Sequence, residues 1–232
     1  MAFSPSTPVL SPSIGATCIG LIGDVHAEDD LLEAALKHLR SLQVELVLCV
    51  GDVVDGQGDA SRCCALLEQH RVLTVRGNHE SWCLAGSVRQ LPDATLLGSL
   101  SGEARCFLES LPPTRSFDTP FGGTLLCHGL GVHDMKSVNE DDYGYALESN
   151  FELQELIQDP AIHIVLNGHN HRPMVRHFRG LTVVNAGTLH RLQNPGLLTI
   201  DFANGAVERL VFRDGAISET RKLGSLSRLA SS

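Results

Sequence analysis

The sequence predicts an α/β domain whose first half builds a parallel sheet and whose last part is antiparallel. Two observations predict it. Between residues 18 and 77 three apolar runs, CIGLIG, ELVLCVG and RVLTVRG, alternate with two amphipathic stretches. That is the strand–helix order of a parallel sheet with right-handed crossovers. After residue 172 the order changes: PMVRHF, LTVVNAG, GLLTIDF and AVERLVF follow one another with no helical pattern between them. With 232 residues, 43% of them hydrophobic, the chain is large enough to bury one substantial core.

CIGLIG (18–23) is an unbroken apolar run that ends at glycine, as a buried strand does. Leu31, Leu32, Ala35, Leu36 and Leu39 recur at helical spacing, which predicts a helix over residues 28–41. A second strand is expected at 45–51, a helix at 59–70 and a third strand at 71–77. A helix around 101–110 runs into Pro112-Pro113. GGTLLCHG (122–129) and AIHIVLNG (161–168) read as strands, with a helix over NFELQELIQ between them. Asn204-Gly205 is a hairpin signal between the last two strands. There is no internal repeat and no linker. One domain is expected over 18–215, preceded by a disordered Ser-, Thr- and Pro-rich leader (1–17) and followed by a loose tail (216–232).

Composition excludes several roles. A net charge of −9 argues against a broad nucleic-acid surface, which needs a basic face. It does not exclude an anionic substrate, because bound cations can invert the local charge. No apolar run approaches the ~20 residues of a membrane span, and the N-terminus lacks the basic and apolar regions of a secretory signal. Seven cysteines with no CxxC pair are expected to be reduced thiols in a cytoplasmic setting.

Polar clusters stand at five of the expected strand ends. Asp24-Val25-His26 follows the first, Gly51-Asp52-Val53-Val54-Asp55 the second and Gly77-Asn78-His79-Glu80 the third; His128-Gly129 and Gly168-His169-Asn170-His171 follow the strands at 122–127 and 161–167. Sites in open α/β sheets form at the carboxyl ends of strands, so these clusters are expected to converge. On an extended segment residues i and i+2 point the same way, so Asp24 and His26 are expected to serve one ion, and His169 and His171 either one ion or two. Adjacent residues point apart, which gives Asn78 and His79 different roles. One Asp or His at a strand end is ordinarily a cap or a solvated loop residue. Five clusters in order make that reading a poor account of the ensemble.

DVH, GDVVD, RGNHE, CHG and GHNH together resemble the motif blocks of the calcineurin-like metallophosphoesterases, from about Cys18 to about Asp201. RGNHE and GDVVD are similar to the phosphoprotein phosphatase branch, and GHNHRP followed by VVNAG to small bacterial phosphodiesterases and phosphatases. The resemblance implies a four-layer α/β/β/α sandwich with two facing mixed sheets. It assigns Asp24, His26, Asp52 and His171 to one divalent metal ion and Asp52, Asn78, His128 and His169 to a second, with Asp52 shared. His79 becomes the general acid at the leaving oxygen and Asp55 the group that orients it. The implied reaction is in-line attack on phosphorus by a hydroxide bridging the ions, with a small phosphodiester, nucleotide or phosphomonoester as substrate. Two divalent ions against two aspartates and a hydroxide leave about one positive charge, enough to attract a phosphate without trapping it. The nitrogen- and oxygen-donor set suits Mn, Fe, Zn, Co or Ni, with Mn the first expectation.

Two departures stand out. Ala27 replaces the glycine common after the DxH block. Gly56 stands where phosphoprotein phosphatases carry a phosphate-binding arginine, which weighs against protein phosphatase activity. Arg76, His190 and Arg191 are candidates for substrate contact; His133 and Asp134 read better as solvated loop residues. The alternatives are a protein Ser/Thr phosphatase, a dinucleoside polyphosphate hydrolase and, from another class, a non-catalytic scaffold on the same fold similar to the retromer subunit. The presence of both His79 and Asp55 favours an enzyme.

Overall fold

The structure is a computed structural model that describes residues 15–87, 91 and 93–227. Strand β1 (Cys18–Ile22) is parallel to β2 (Leu46–Cys49), which is parallel to β3 (Leu73–Thr74). Helices α1 (Asp29–Ser41) and α2 (Ala60–Gln69) make the two crossovers. Helix α1 buries Leu31, Leu32, Ala35, Leu36 and Leu39, the stripe its spacing predicts. Asp59 caps α2, its carboxylate accepting from Arg62 N at 3.0 Å.

The chain continues through α3 (Asn78–Leu84), α4 (Gly102–Ser110), β4 (Thr114–Thr119), β5 (Gly122–Cys127), α5 (Tyr145–Glu148) and α6 (Phe151–Gln158). It ends in β6 (Ile164–Asn167), β7 (Met174–Phe178), β8 (Leu181–Asn185), β9 (Gly196–Asp201), β10 (Ala206–Arg213) and β11 (Ala216–Ser225). One sheet runs β11-β10-β9-β1-β2-β3 and the other β4-β5-β6-β8-β7. Side chains alternating along single strands sort into separate cores. On β1, Ile19 and Leu21 point between the sheets and Ile22 toward α1 and α2. On β6, Ile164 and Leu166 point between the sheets, and Val165 packs outward with Leu153 and Leu156 of α6. The result is the expected α/β/β/α sandwich.

Four local expectations change. The third strand shrinks to Leu73–Thr74, because the chain leaves the sheet edge and Arg76 N donates to Pro112 O at 2.8 Å. Asn78 and His79 open helix α3 and are not extended. Strand β4 was not expected: TRSFDT is polar, and only its pairing with β5 along the sheet edge makes it a strand. The segment from 216, expected to be a loose tail, forms β11 as far as Ser225, paired with β10 through two register shifts. Of the expected leader, residues 1–14 lie outside the described residues; Thr17 N donates to Glu45 Oε2 at 2.6 Å and Thr17 O accepts from Phe202 N at 2.8 Å. No helix of the described residues is long and apolar enough to cross a membrane.

Candidate metal centre

Each sheet contains three mutually parallel strands, β1, β2 and β3 in one and β5, β6 and β8 in the other. The polar clusters leave the carboxyl ends of these strands and meet between the sheets. Asp24 forms an isolated parallel bridge with Thr188 after β8, joining the two sheets at that point. The approach is close at Gly168, where a Cβ would lie 2.3 Å from Asp24 Oδ1 and 2.5 Å from Val50 Cγ2.

The convergence does not come from extended backbone. His26 (φ 48°), Asp52 (φ 46°), Asp55 (φ 64°), His169 (φ 73°) and His171 (φ 59°) all take left-handed conformations. This is uncommon for residues with a side chain and costs about 1–2 kcal/mol each. Partners over-determine it: Val25 N and His26 N both donate to Asp52 O, at 2.9 and 2.8 Å. Ala27 is left-handed too (φ 53°), which gives the departure from glycine its physical meaning.

Two donor groups result. Asp24, His26, Asp52 and His171 offer ligand atoms within 4.8 Å of one another, and so do Asp52, His128 and His169. Asp52 belongs to both. Asn78 joins the second group: its Oδ1 lies 2.9 Å from His128 Nε2 and 3.0 Å from His169 Nδ1. The expectation that left His169 and His171 on one ion or two resolves into one histidine in each group. All of these residues are buried or half-buried.

The donor chemistry fits cations. His26 Nε2 faces His171 Nε2 at 3.0 Å, while the Nδ1 atoms of both rings already have oxygen acceptors, Asp55 O and Gln193 Oε1. Unless a cation or a second proton sits there, two lone pairs point at one another beside Asp24 Oδ2, which is 3.1 Å from His171 Nε2 and, against the effect of burial, raises the proton affinity of that ring. Such a contact is repulsive unless positive charge lies within it. The same demand shows in titration. Burial resists charge on His128, yet Asp52, 3.2 Å away, and Asp24 push its imidazole up to about 10. Burial lowers His169, and the charge on neighbouring His128 lowers it further.

His79 stands in neither group. Its Nδ1 donates to Asp55 Oδ2 at 2.6 Å, and its Nε2 lies 3.8 Å from Asp52 Oδ2. Asp55 Oδ1 accepts from Thr95 N at 2.6 Å, and Asp55 N donates to Thr95 Oγ1 at 2.9 Å. A cavity of about 250 Å³ opens here, walled by His26, Asp55, His79, His171, His190 and Gln193, with Gly56, Leu91 and Asp93 completing it. His190 therefore reaches the cavity. Arg191 instead turns to buried Glu28, with Nη2 and Oε2 2.6 Å apart, and Arg76 is outside the wall. Asp134 accepts from Ser81 Oγ at 3.3 Å, and His133 is not part of the wall.

Glu80 is the main residue that sequence reasoning passed over. Its fully buried carboxylate accepts four backbone N–H groups: Val53 (2.6 Å) and Val54 (3.2 Å) on Oε1, Asp52 (2.9 Å) and Gly77 (2.8 Å) on Oε2. Burial and the charge on Asp52 push Glu80 up, and the N–H donors pull it back. The available signal was its place three residues into α3, where a glutamate reaches back to the residue that starts the helix. Glu80→Gln turns an NH2 toward two of these donors, so each stranded N–H is expected to destabilise the fold by about 1–3 kcal/mol. The urea midpoint checks this, and an unchanged midpoint refutes it.

A buried set of aspartates and histidines at the strand ends of two facing sheets defines a metallohydrolase-type site. Residues 18–205 match the calcineurin-like phosphoesterase superfamily domain, and the chain belongs to that superfamily. The fold is similar to a metallophosphoesterase from Sphaerobacter thermophilus, with a TM-score of 0.65 and 20% identity over 86% of this chain and 89% of that one. It is also similar to Yfce, a phosphoesterase from E. coli, with a TM-score of 0.54 and 16% identity over 89% and 100% of the two chains. In sequence, 67 residues are 36% identical to serine/threonine-protein phosphatase 1 of Salmonella typhimurium, covering 28% of this chain and 31% of that protein. The match thus spans under a third of that curated relative's length.

Proposed function

We propose that this protein hydrolyses small phosphate esters, diesters before phosphoproteins, with two divalent metal ions. The first ion is held by Asp24, His26, Asp52 and His171, the second by Asp52, Asn78, His128 and His169. Mn is the first choice among Mn, Fe, Zn, Co and Ni. Two bound ions would supply an activated water and neutralise the phosphoryl oxygens. The chain's own contribution is orientation and a proton. The observation that carries this reading is the His79–Asp55 pair, which opens onto the cavity beside His26 and His171 of the first donor group, stands 3.8 Å from the shared Asp52 and belongs to neither group. Asp55 holds the Nδ1 proton, so His79 Nε2 is the atom that delivers a proton to the leaving oxygen. The seven free thiols, five of them buried, support a reducing, cytoplasmic setting.

Charge supports the preference for diesters. Among the described residues lining the cavity there is no lysine or arginine to pair with a terminal dianionic phosphate. The arginine of phosphoprotein phosphatases has no room to return: a Cβ on Gly56 would lie 1.9 Å from His26 O. Bis(p-nitrophenyl) phosphate is therefore expected to be hydrolysed by the Mn-loaded protein at least as fast as a phosphopeptide. Efficient phosphopeptide turnover with negligible diesterase activity would overturn this and favour the protein phosphatase that the partial likeness to the Salmonella enzyme suggests.

A further inference from the structure

Three imidazoles present Nε2 to the donor groups, and each has an acceptor at Nδ1. For His26 and His128 the acceptor is a backbone carbonyl, Asp55 O at 3.0 Å and Val50 O at 2.9 Å. For His171 it is a side chain, Gln193 Oε1 at 2.5 Å. An amide oxygen only accepts. The contact therefore holds a proton on Nδ1 and turns Nε2 toward Asp24 Oδ2 and His26 Nε2, where a cation can take its lone pair.

The loop that carries Gln193 is anchored on the strand-end loop bearing Asp24. Leu189 N and Thr188 Oγ1 both donate to Asp24 O at 2.8 Å. Arg191 binds Glu28 through its backbone N at 2.8 Å and through its guanidinium. Gln193 N then donates to His190 O at 2.9 Å, closing the turn. Gln193 reaches His171 across 22 residues of sequence while also lining the cavity.

We propose that Gln193 is a positioning residue: its side-chain oxygen selects the His171 tautomer that offers Nε2 to the first metal ion. This rests on the metal-binding reading above. The test uses the full chain, stripped with a chelator and titrated calorimetrically with Mn²⁺ alone, as wild type, Gln193→Leu and Gln193→Glu. Wild type is expected to bind two ions. Gln193→Leu is expected to keep one affinity and weaken the other about 10–100-fold, the usual effect of losing a partner of a ligating histidine. Gln193→Glu keeps the acceptor and is expected to bind at least as tightly as wild type. In the Zn²⁺-loaded proteins, ¹⁵N–¹H correlations of the imidazoles are expected to show a slowly exchanging His171 Nδ1–H in wild type and Gln193→Glu, and a rapidly exchanging one in Gln193→Leu. Unchanged affinities and an unchanged Nδ1–H exchange in Gln193→Leu overturn the proposal. Gln193→Met repeats the test if the leucine variant does not fold. A wild type that binds no Mn²⁺ overturns the reading of the site instead, so the two failures are distinct.

Discussion

His79→Asn is expected to lower kcat by about 10²–10⁴-fold on a phosphate ester with an alkyl leaving group, the range of general acid catalysis, while both metal affinities stay near wild type. The separation follows from geometry. His79 and Asn78 are neighbours in the first turn of α3, where successive side chains point about 100° apart. Asn78 Oδ1 meets His128 and His169, while the His79 ring meets Asp55 and packs against Trp82 at 4.9 Å between ring centroids. A p-nitrophenyl ester needs little protonation of its leaving group, so its loss is expected to be far smaller. Burial works against a charged His79, but the hydrogen bond to Asp55 and the charges of Asp52, Asp55 and Glu80 outweigh it and raise its affinity for a proton. An acid with a raised pKa stays protonated to higher pH, so wild-type kcat on the alkyl ester should fall on the alkaline side as His79 deprotonates. That limb should vanish in His79→Asn. Equal losses on both esters would reassign His79 to phosphate or metal positioning. No loss on either would remove it from the reaction and revive the scaffold reading.

Asp52→Asn is expected to release both ions. Asp52 is the single residue common to the two donor groups, and it is fully buried in a left-handed turn. Burial alone would favour its neutral form; His128, His79 and His26 hold its carboxyl well below the usual range, so it stays charged. Losing a hydrogen-bond partner of a ligand typically weakens metal binding about 10–100-fold, so loss of the shared ligand charge should exceed about 100-fold at each site. The fold should survive, because asparagine still offers an oxygen to His79 N, which now lies 3.0 Å from Asp52 Oδ1. Elemental analysis after desalting, with a thermal melt as the control for folding, reads this directly. Two retained ions with unchanged hydrolysis would end the bridging role.

Both His79 and Asp52 are legible in the sequence. Apolar period and glycine punctuation marked β1, β2, β5, β6 and the helix stripe of α1, because burial on one face imposes a local repeat. The polar clusters were legible for the same reason: each begins where an apolar run stops. The polar edge strand β4 and the strand β11 escaped, since their pairing partners, not their composition, make them strands.

By itself, then, the sequence determined which donors stand at which strand ends, and hence the family and the class of chemistry. Tertiary structure alone decided how they are used. It bent His26, Asp52, His169 and His171 into left-handed turns, divided the two histidines of GHNH between two groups, committed Arg191 to Glu28 and put Gln193 on His171. The reason is distance along the chain. A periodic pattern reports what a residue does with its near neighbours, whereas His169 N meets Asp24 across 145 positions and Arg191 meets Glu28 across 163. Those contacts exist only once two sheets have packed face to face and brought their strand ends together.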